Sequence, residues 1–225
     1  MYKLTLSTTC LLLSLTLSTG VSQAESEEAR HGQNMPAGYD RYAKLAKAPY
    51  DLQDLETLKK TVLFTSDDVQ WLRKSRAILA PQADDILDVW YGFVGSTPHL
   101  LAYFANDKGK PDARYLKRVR ARFRQWILDT AAADYDQQWL NYQYEIGLRH
   151  HRLKKNQTDK ADAINHIPAR YVLALVYPIT ATLKPFLAQD NLSDKDIEAM
   201  HQAWSKSLLM QAILWTEPYF KPGDF

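Results

Sequence analysis

The sequence predicts an all-α protein with one compact domain, and three observations carry that prediction. Apolar residues recur three and four positions apart over long stretches, and no segment between turn dipeptides alternates as a half-buried strand does. Only 8 of the 225 residues are glycine, which is about half the usual share. A chain of this length can bury a core large enough to enclose a flat prosthetic group.

Residues 1–24 have the pattern of a secretory signal peptide. Lys3 gives a positive start, an apolar run diluted by Ser and Thr extends from Leu4 to Leu17, and small residues precede a cleavage site after Ala24. The run is shorter than the ~20 apolar residues that a membrane-spanning helix needs. We therefore expect an exported protein, periplasmic or secreted, that is not an integral membrane protein.

Residues 25–50 are polar, contain glycine and proline, and show no helical period, so they predict an irregular N-terminal extension. Tyr39, Tyr42 and Tyr50 give this extension apolar side chains with which to pack. Residues 51–225 form the predicted helical domain, in which capping residues and prolines mark the helix ends. The expected helices run from Asp51 to about Leu63, from Ser66 to Pro81, over 82–95, from Pro98 to Phe104, from Asp112, over 137–152, over 168–186 and over 193–219.

The balance of charge and the absence of several motifs exclude whole function classes. The 28 basic and 26 acidic side chains nearly cancel, so neither nucleic acid nor an anionic membrane is an indicated partner. The many basic residues of the helix after Asp112 are most simply a solvated face. The sequence has no glycine-rich phosphate loop, so nucleotide chemistry is not a leading hypothesis. It also has no Gly-x-Ser-x-Gly element, so a serine-based catalytic triad is not indicated.

Among the 6 histidines, the adjacent pair His150 and His151 ends a predicted helix with an aromatic inner face. Helical spacing groups His150 with Ile146 on one stripe and His151 with Leu148 on another, so periodicity does not choose between them. Adjacent histidines project about 100° apart on a helix, and no His-Glu-x-x-His motif accompanies them, which disfavours zinc. The residue pattern leaves open whether either histidine ligates a haem iron or is an ordinary core or surface residue.

Five segments carry a resemblance to a known family. They are LDVWYGFVGS at 87–96, RFRQWILDT at 122–130, YDQQWLNYQYEIGLRHHR at 135–152, KKNQTD at 154–159 and YPITATLKPF at 177–186. These segments resemble the protoglobins, and the similarity extends from about Pro36 to Phe225. The resemblance implies a globin fold with an extra N-terminal helix and an N-terminal extension that helps to bury a haem.

The resemblance also implies roles for individual residues. It makes His150 the proximal ligand of the iron and His151 only its neighbour. On the distal side it places Trp90 and Tyr91 with Phe123 facing them, and we expect Tyr91 to donate a hydrogen bond to the bound gas. The other residues implied to line the haem pocket are Phe104, Val119, Ile146, Val172, Leu175 and Ile179.

Two features depart from the family pattern. Leu175 stands where archaeal protoglobins have phenylalanine, and this smaller side chain should widen the cavity or change ligand access. The signal peptide places the protein outside the cytoplasm. Because the only cysteine, Cys10, lies inside that peptide, the haem would be haem b held non-covalently.

The leading functional hypothesis is reversible binding of O2, CO or NO, as scavenger, carrier or sensor. The alternatives are a haem enzyme that turns over peroxide, nitrite or NO, and a helical interaction protein without a cofactor. The resemblance further implies a homodimer formed through the last two helices. The side chains available for that pairing are Trp204, Leu208, Leu209, Ile213 and Trp215.

Overall fold

A computed structural model of the chain describes residues 35–188 and 191–225. The predicted signal peptide and its cleavage site lie outside these residues. Regular structure in the described part is helical, apart from one isolated antiparallel bridge between Ala105 and Pro111. The all-α prediction is therefore confirmed for this part of the chain.

The helices follow the predicted order closely. Short 3-10 turns, at Ala80–Gln82, Ala102–Phe104 and Glu217–Tyr219, precede or extend three of them. The α-helices are α1 (Leu52–Thr61), α2 (Ser66–Leu79), α3 (Ala83–Gly95), α4 (Pro98–Leu101), α5 (Ala113–Ala132), α6 (Gln137–His150), α7 (Ala169–Ala174), α8 (Val176–Leu187) and α9 (Asp194–Thr216).

Side-chain caps fix the helix starts that matter most for the site. The carboxylate of Asp112 accepts a hydrogen bond from the backbone N–H of Tyr115 at 3.0 Å, at the start of α5. At the start of α6, Asp136 accepts from the backbone N–H of Trp139 at 2.6 Å. Each bond satisfies an amide that the first helical turn leaves without a partner.

One predicted helix is two helices in the structure. The expected helix over 168–186 is interrupted at Leu175, between α7 and α8. Pro178 explains the break, because it has no N–H to donate to the carbonyl of Ala174 one turn earlier. The helix expected to reach Arg152 ends instead at His150, after which the backbone of His151 is extended.

Helix α9 lies at the centre of the packing and contacts α2, α6, α7 and α8. Trp204 of α9 is fully buried and donates its indole N–H to the hydroxyl of Ser75 at 2.8 Å. Leu208 is also in the core, so neither residue is available to pair with a second copy of the chain. Leu209 is 41% exposed, whereas Ile213 and Trp215 are partly buried.

Aromatic residues of α3 and of the N-terminal extension differ in burial. Phe93, which shares the apolar stripe of α3, is 37% exposed and faces away from the core. In the extension, Tyr39 and Tyr50 are buried and fasten residues 36–50 onto the helical domain. No described helix is both long enough and apolar enough to cross a membrane.

Candidate functional site

The helices enclose a cavity of about 250 Å³. Residues from α3, α5, α6, α7 and α8 contribute to its wall, together with the 3-10 turn before residue 105. Every site residue that the sequence predicted borders this one cavity, although those residues come from distant parts of the chain. They are Trp90, Tyr91, Phe104, Val119, Phe123, Ile146, His150, Val172, Leu175 and Ile179.

His150 occupies the last turn of α6 with its ring fixed in one orientation. Its Nδ1 lies 2.8 Å from the carbonyl oxygen of Ile146, and only an N–H can bond to that oxygen. The proton therefore belongs on Nδ1, and Nε2 keeps its lone pair. Burial also lowers the pKa of His150, so the ring remains neutral at physiological pH.

An indole supports the imidazole from one side. The ring of Trp215 stacks on that of His150 with a centroid separation of 5.8 Å and an interplanar angle of 7°. The indole N–H donates to the side-chain oxygen of Gln143 at 2.7 Å, which fixes the Trp215 ring in turn. We call Ile146, His150 and Trp215 the α6 wall.

A glycine makes this arrangement possible. At Gly147 the helix α6 approaches α9 so closely that an added Cβ would lie 2.7 Å from the carbonyl oxygen of Trp215. That separation is shorter than any real Cβ contact, so a side chain here would push the two helices apart. The absence of a side chain at Gly147 therefore brings the Trp215 ring against His150.

His151 lies outside the cavity wall. The extended backbone after His150 turns its side chain towards His166 and Tyr219, with ring centroids 5.1 Å and 5.0 Å away. The end of α6 thus separates two histidines that the helical period alone could not distinguish. Of the two histidines, His150 borders the cavity and His151 does not.

A second wall, which we call the α3 wall, consists of Trp90, Tyr91 and Phe123. The rings of Trp90 and Phe123 meet edge to face with centroids 5.8 Å apart, and Tyr91 packs in the same way against Phe104 at 6.4 Å. Within the described residues, neither the Trp90 indole N–H nor the Tyr91 hydroxyl has a hydrogen-bond partner. Burial raises the pKa of Tyr91 well above its usual value, so the hydroxyl keeps its proton.

The break between α7 and α8 adds an apolar side to the cavity. Leu175 stands at that break and packs with Ile179 against the cluster of Trp90, Val94 and Leu100. These side chains make this end of the cavity mostly apolar.

Several residues that line the cavity were not predicted from the sequence. One of the charged ones, Arg122, belongs to the basic helical face that was expected to be solvated, yet its side chain is only 13% exposed and pairs with Asp159. Arg149 pairs with Glu145 at 2.9 Å and with Asp40. The other missed lining residues are Tyr39, Val94, Leu100, Tyr103, Tyr115, Trp126, Tyr142, Lys155, Ile167, Tyr171 and Trp215.

Within the described ranges, no three His, Cys, Asp or Glu side chains lie close enough together to hold a metal ion. The cavity instead presents one neutral imidazole to an apolar, aromatic space. That donor set suits an iron porphyrin, which supplies four nitrogens of its own and takes one axial histidine from the protein. Flat aromatic walls suit the faces of such a ring.

Comparison with known proteins agrees with this geometry. A family model described as Protoglobin matches residues 51–224, more than three quarters of the chain. A comparison with curated proteins finds no match. From the extent of the family match and from the all-helical fold, the chain belongs to the protoglobin family, whose members are globins that bind haem and, through it, gaseous ligands.

Proposed function

We propose that this protein holds haem b non-covalently in the cavity, with Nε2 of His150 as the axial ligand, and that it binds O2, CO or NO reversibly. The observation that carries the proposal is the state of His150. Its Nδ1–H is fixed on the carbonyl of Ile146, and its Nε2 is unprotonated beside an apolar cavity. Haem bound there would supply an iron with one open position for a diatomic gas.

The residues of the chain have separate tasks in this proposal. The hydrogen bond to Ile146 and the stacked Trp215 orient the imidazole and restrict the rotation of its plane. The Trp90, Val94 and Leu100 cluster keeps water away from the gas side. Low polarity there strengthens any hydrogen bond made to the ligand.

Tyr91 is the residue we assign to the gas ligand. Its hydroxyl borders the cavity, keeps its proton and has no partner in the described protein. A bound O2 carries partial negative charge, which a phenol donor would stabilise by about 1 kcal/mol or somewhat more. Trp90 offers a second N–H on the same wall.

An absorption spectrum of the purified protein tests the proposal directly. The oxidised protein, the reduced protein and the reduced protein with CO should each give the Soret band of a histidine-ligated haem. A protein that stays colourless when haemin is added would refute it. Turnover of peroxide, nitrite or NO well above that of free haemin would replace reversible binding with an enzymatic role.

Export and self-association complete the proposal. We expect cleavage after Ala24, which amino-terminal sequencing of the exported protein would detect or exclude. We also expect a homodimer through α8 and α9, to which Leu209 rather than Trp204 or Leu208 would contribute apolar surface. A monomer in sedimentation would remove the dimer without affecting the haem site.

A further inference from the structure

Three cationic side chains border the cavity, and two of them already have carboxylate partners. Arg122 pairs with Asp159, and Arg149 pairs with Glu145 and Asp40. Lys155 differs, because within the described residues no carboxylate lies within ion-pair distance of its ammonium group. Its side chain is nevertheless buried, at 4% exposure.

The hydrogen bonds of Lys155 all go to neutral oxygens. Its Nζ donates to the carbonyl of Tyr103 at 3.1 Å, to the hydroxyl of Tyr115 at 3.1 Å and to the side-chain oxygen of Asn156 at 2.9 Å. Burial lowers the pKa of Lys155 to about 8, so the group is still mostly charged at neutral pH. The carboxylate of Asp159, beyond ion-pair distance, partly opposes this lowering. A buried ammonium without an adjacent counter-charge gains from a negative partner.

Tyr115 supplies an unused O–H donor beside this cation. Its hydroxyl oxygen accepts from Lys155, and no described acceptor receives the proton of that hydroxyl. Burial raises the pKa of Tyr115 to about 12, so this proton is retained. Lys155 and Tyr115 together therefore offer a charge and an O–H donor at one place on the cavity wall.

The charged groups around the cavity also favour a negatively charged ligand. The three cavity-lining cations belong to one charged group. It also contains the carboxylates that pair with them and the other cations that share those carboxylates. This group holds five cations and three carboxylates, an excess of two positive charges. Its members are Arg118, Arg122, Arg149, Lys154, Lys155, Asp40, Glu145 and Asp159.

We propose that Lys155 and Tyr115 bind a carboxylate of the porphyrin, so that its propionate edge lies at this end of the cavity. The inference rests on the proposed function, and it fixes the orientation of the ring in its plane. Protoporphyrin carries two propionates, which match the two unbalanced positive charges.

The test compares two ligands on two proteins. Haemin and haemin dimethyl ester differ only in whether the propionates carry charge. Each is loaded onto the wild-type protein and onto Lys155→Met, and its removal by an excess of a haem-scavenging apoglobin is timed. Lys117→Met is the control, because Lys117 is an exposed lysine on α5.

The expected result is specific to the charged ligand. Lys155→Met should speed the loss of haemin by about ten- to a hundredfold, the usual range for one charge-assisted hydrogen bond, and leave the loss of the ester unchanged. Tyr115→Phe should act in the same sense by a smaller factor. If Lys155→Met does not fold, the Tyr115→Phe variant still tests whether this site binds the charged ligand.

Other outcomes would overturn the inference. Equal acceleration for haemin and its ester would show that Lys155 acts only on the structure of the wall. An unchanged rate for haemin in both variants would place the propionates elsewhere, while haem ligation by His150 would stand. A wild-type protein that binds neither ligand would refute the proposed function itself.

Discussion

The two walls of the cavity differ in how their polar groups are used. On the α6 wall, the Nδ1–H of His150 and the indole N–H of Trp215 are both bound to protein oxygens. On the α3 wall, the indole of Trp90 and the hydroxyl of Tyr91 have no partner among the described residues. One wall is fixed before any ligand arrives, whereas the other keeps its donors available.

This difference matches two chemical requirements. An axial ligand must hold its direction, so its remaining nitrogen and its ring faces are best occupied by the protein. A gas-binding face must offer a donor that is not already bonded to the protein, so that the new hydrogen bond replaces no existing one. Both walls contain aromatic residues, and the local contacts support the two tasks that the family resemblance implies for them.

The largest expected effect comes from removing the free imidazole nitrogen. His150→Ala should abolish stable retention of haem, because no other described histidine borders the cavity. His151→Ala is the matched control, and it should retain haem because that ring packs outside the cavity against His166 and Tyr219. Soret absorbance after gel filtration measures both, and the opposite pattern would reverse the assignment of the proximal ligand.

Gly147→Ala tests how the α6 wall is held. The new Cβ would collide with the backbone of Trp215, so the free energy of unfolding should fall by about 1 to 3 kcal/mol. Haem affinity should fall with it as the indole moves off His150.

Gly92→Ala, on α3, is the control for that change. Nothing lies within 4 Å of its added Cβ, so this change should raise the free energy of unfolding by up to about 1 kcal/mol. Chemical denaturation of both variants checks the pair. If Gly147→Ala is as stable as Gly92→Ala, α6 and α9 can move apart without a loss of folding free energy.

Tyr91→Phe tests the α3 wall. Loss of one hydrogen bond worth about 1 kcal/mol should speed O2 dissociation roughly fivefold and leave CO dissociation nearly unchanged, since bound CO carries little charge. Stopped-flow ligand replacement gives both rates. If O2 leaves at the wild-type rate, Trp90 or no residue at all is the donor.

The smallest expected effect concerns access to the α3 wall. Leu175 stands at the break between α7 and α8, where a larger ring would fill part of the cavity. Leu175→Phe should slow CO association by a modest factor while the spectrum of the reduced protein stays the same. Flash photolysis measures the rate, and faster association would place the entry path elsewhere.

Sequence reasoning predicted what depends on local patterns and on the family resemblance. Caps such as Asp112 and Asp136 act on their own helix, so they are visible in the chain itself. The cavity-lining role of Arg122 was not predictable, because burial of an arginine depends on Asp159 reaching it from a later loop. The partnership of Trp215 with His150 likewise requires that α9 approach α6 at Gly147.

Tyr39 borders the cavity, and hydrogen bonds hold residues 37–40 in place along their length. Arg122 donates to the carbonyl of Ala37 at 3.0 Å, Arg149 holds the carbonyl of Gly38 and the carboxylate of Asp40, and Tyr39 donates to Asp129 at 2.9 Å. A porphyrin that passed this segment would first have to break several of these bonds together. These bonds would therefore slow uptake as well as release, in addition to the contacts that the porphyrin itself makes, so a filled molecule would exchange its pigment with neighbours only rarely.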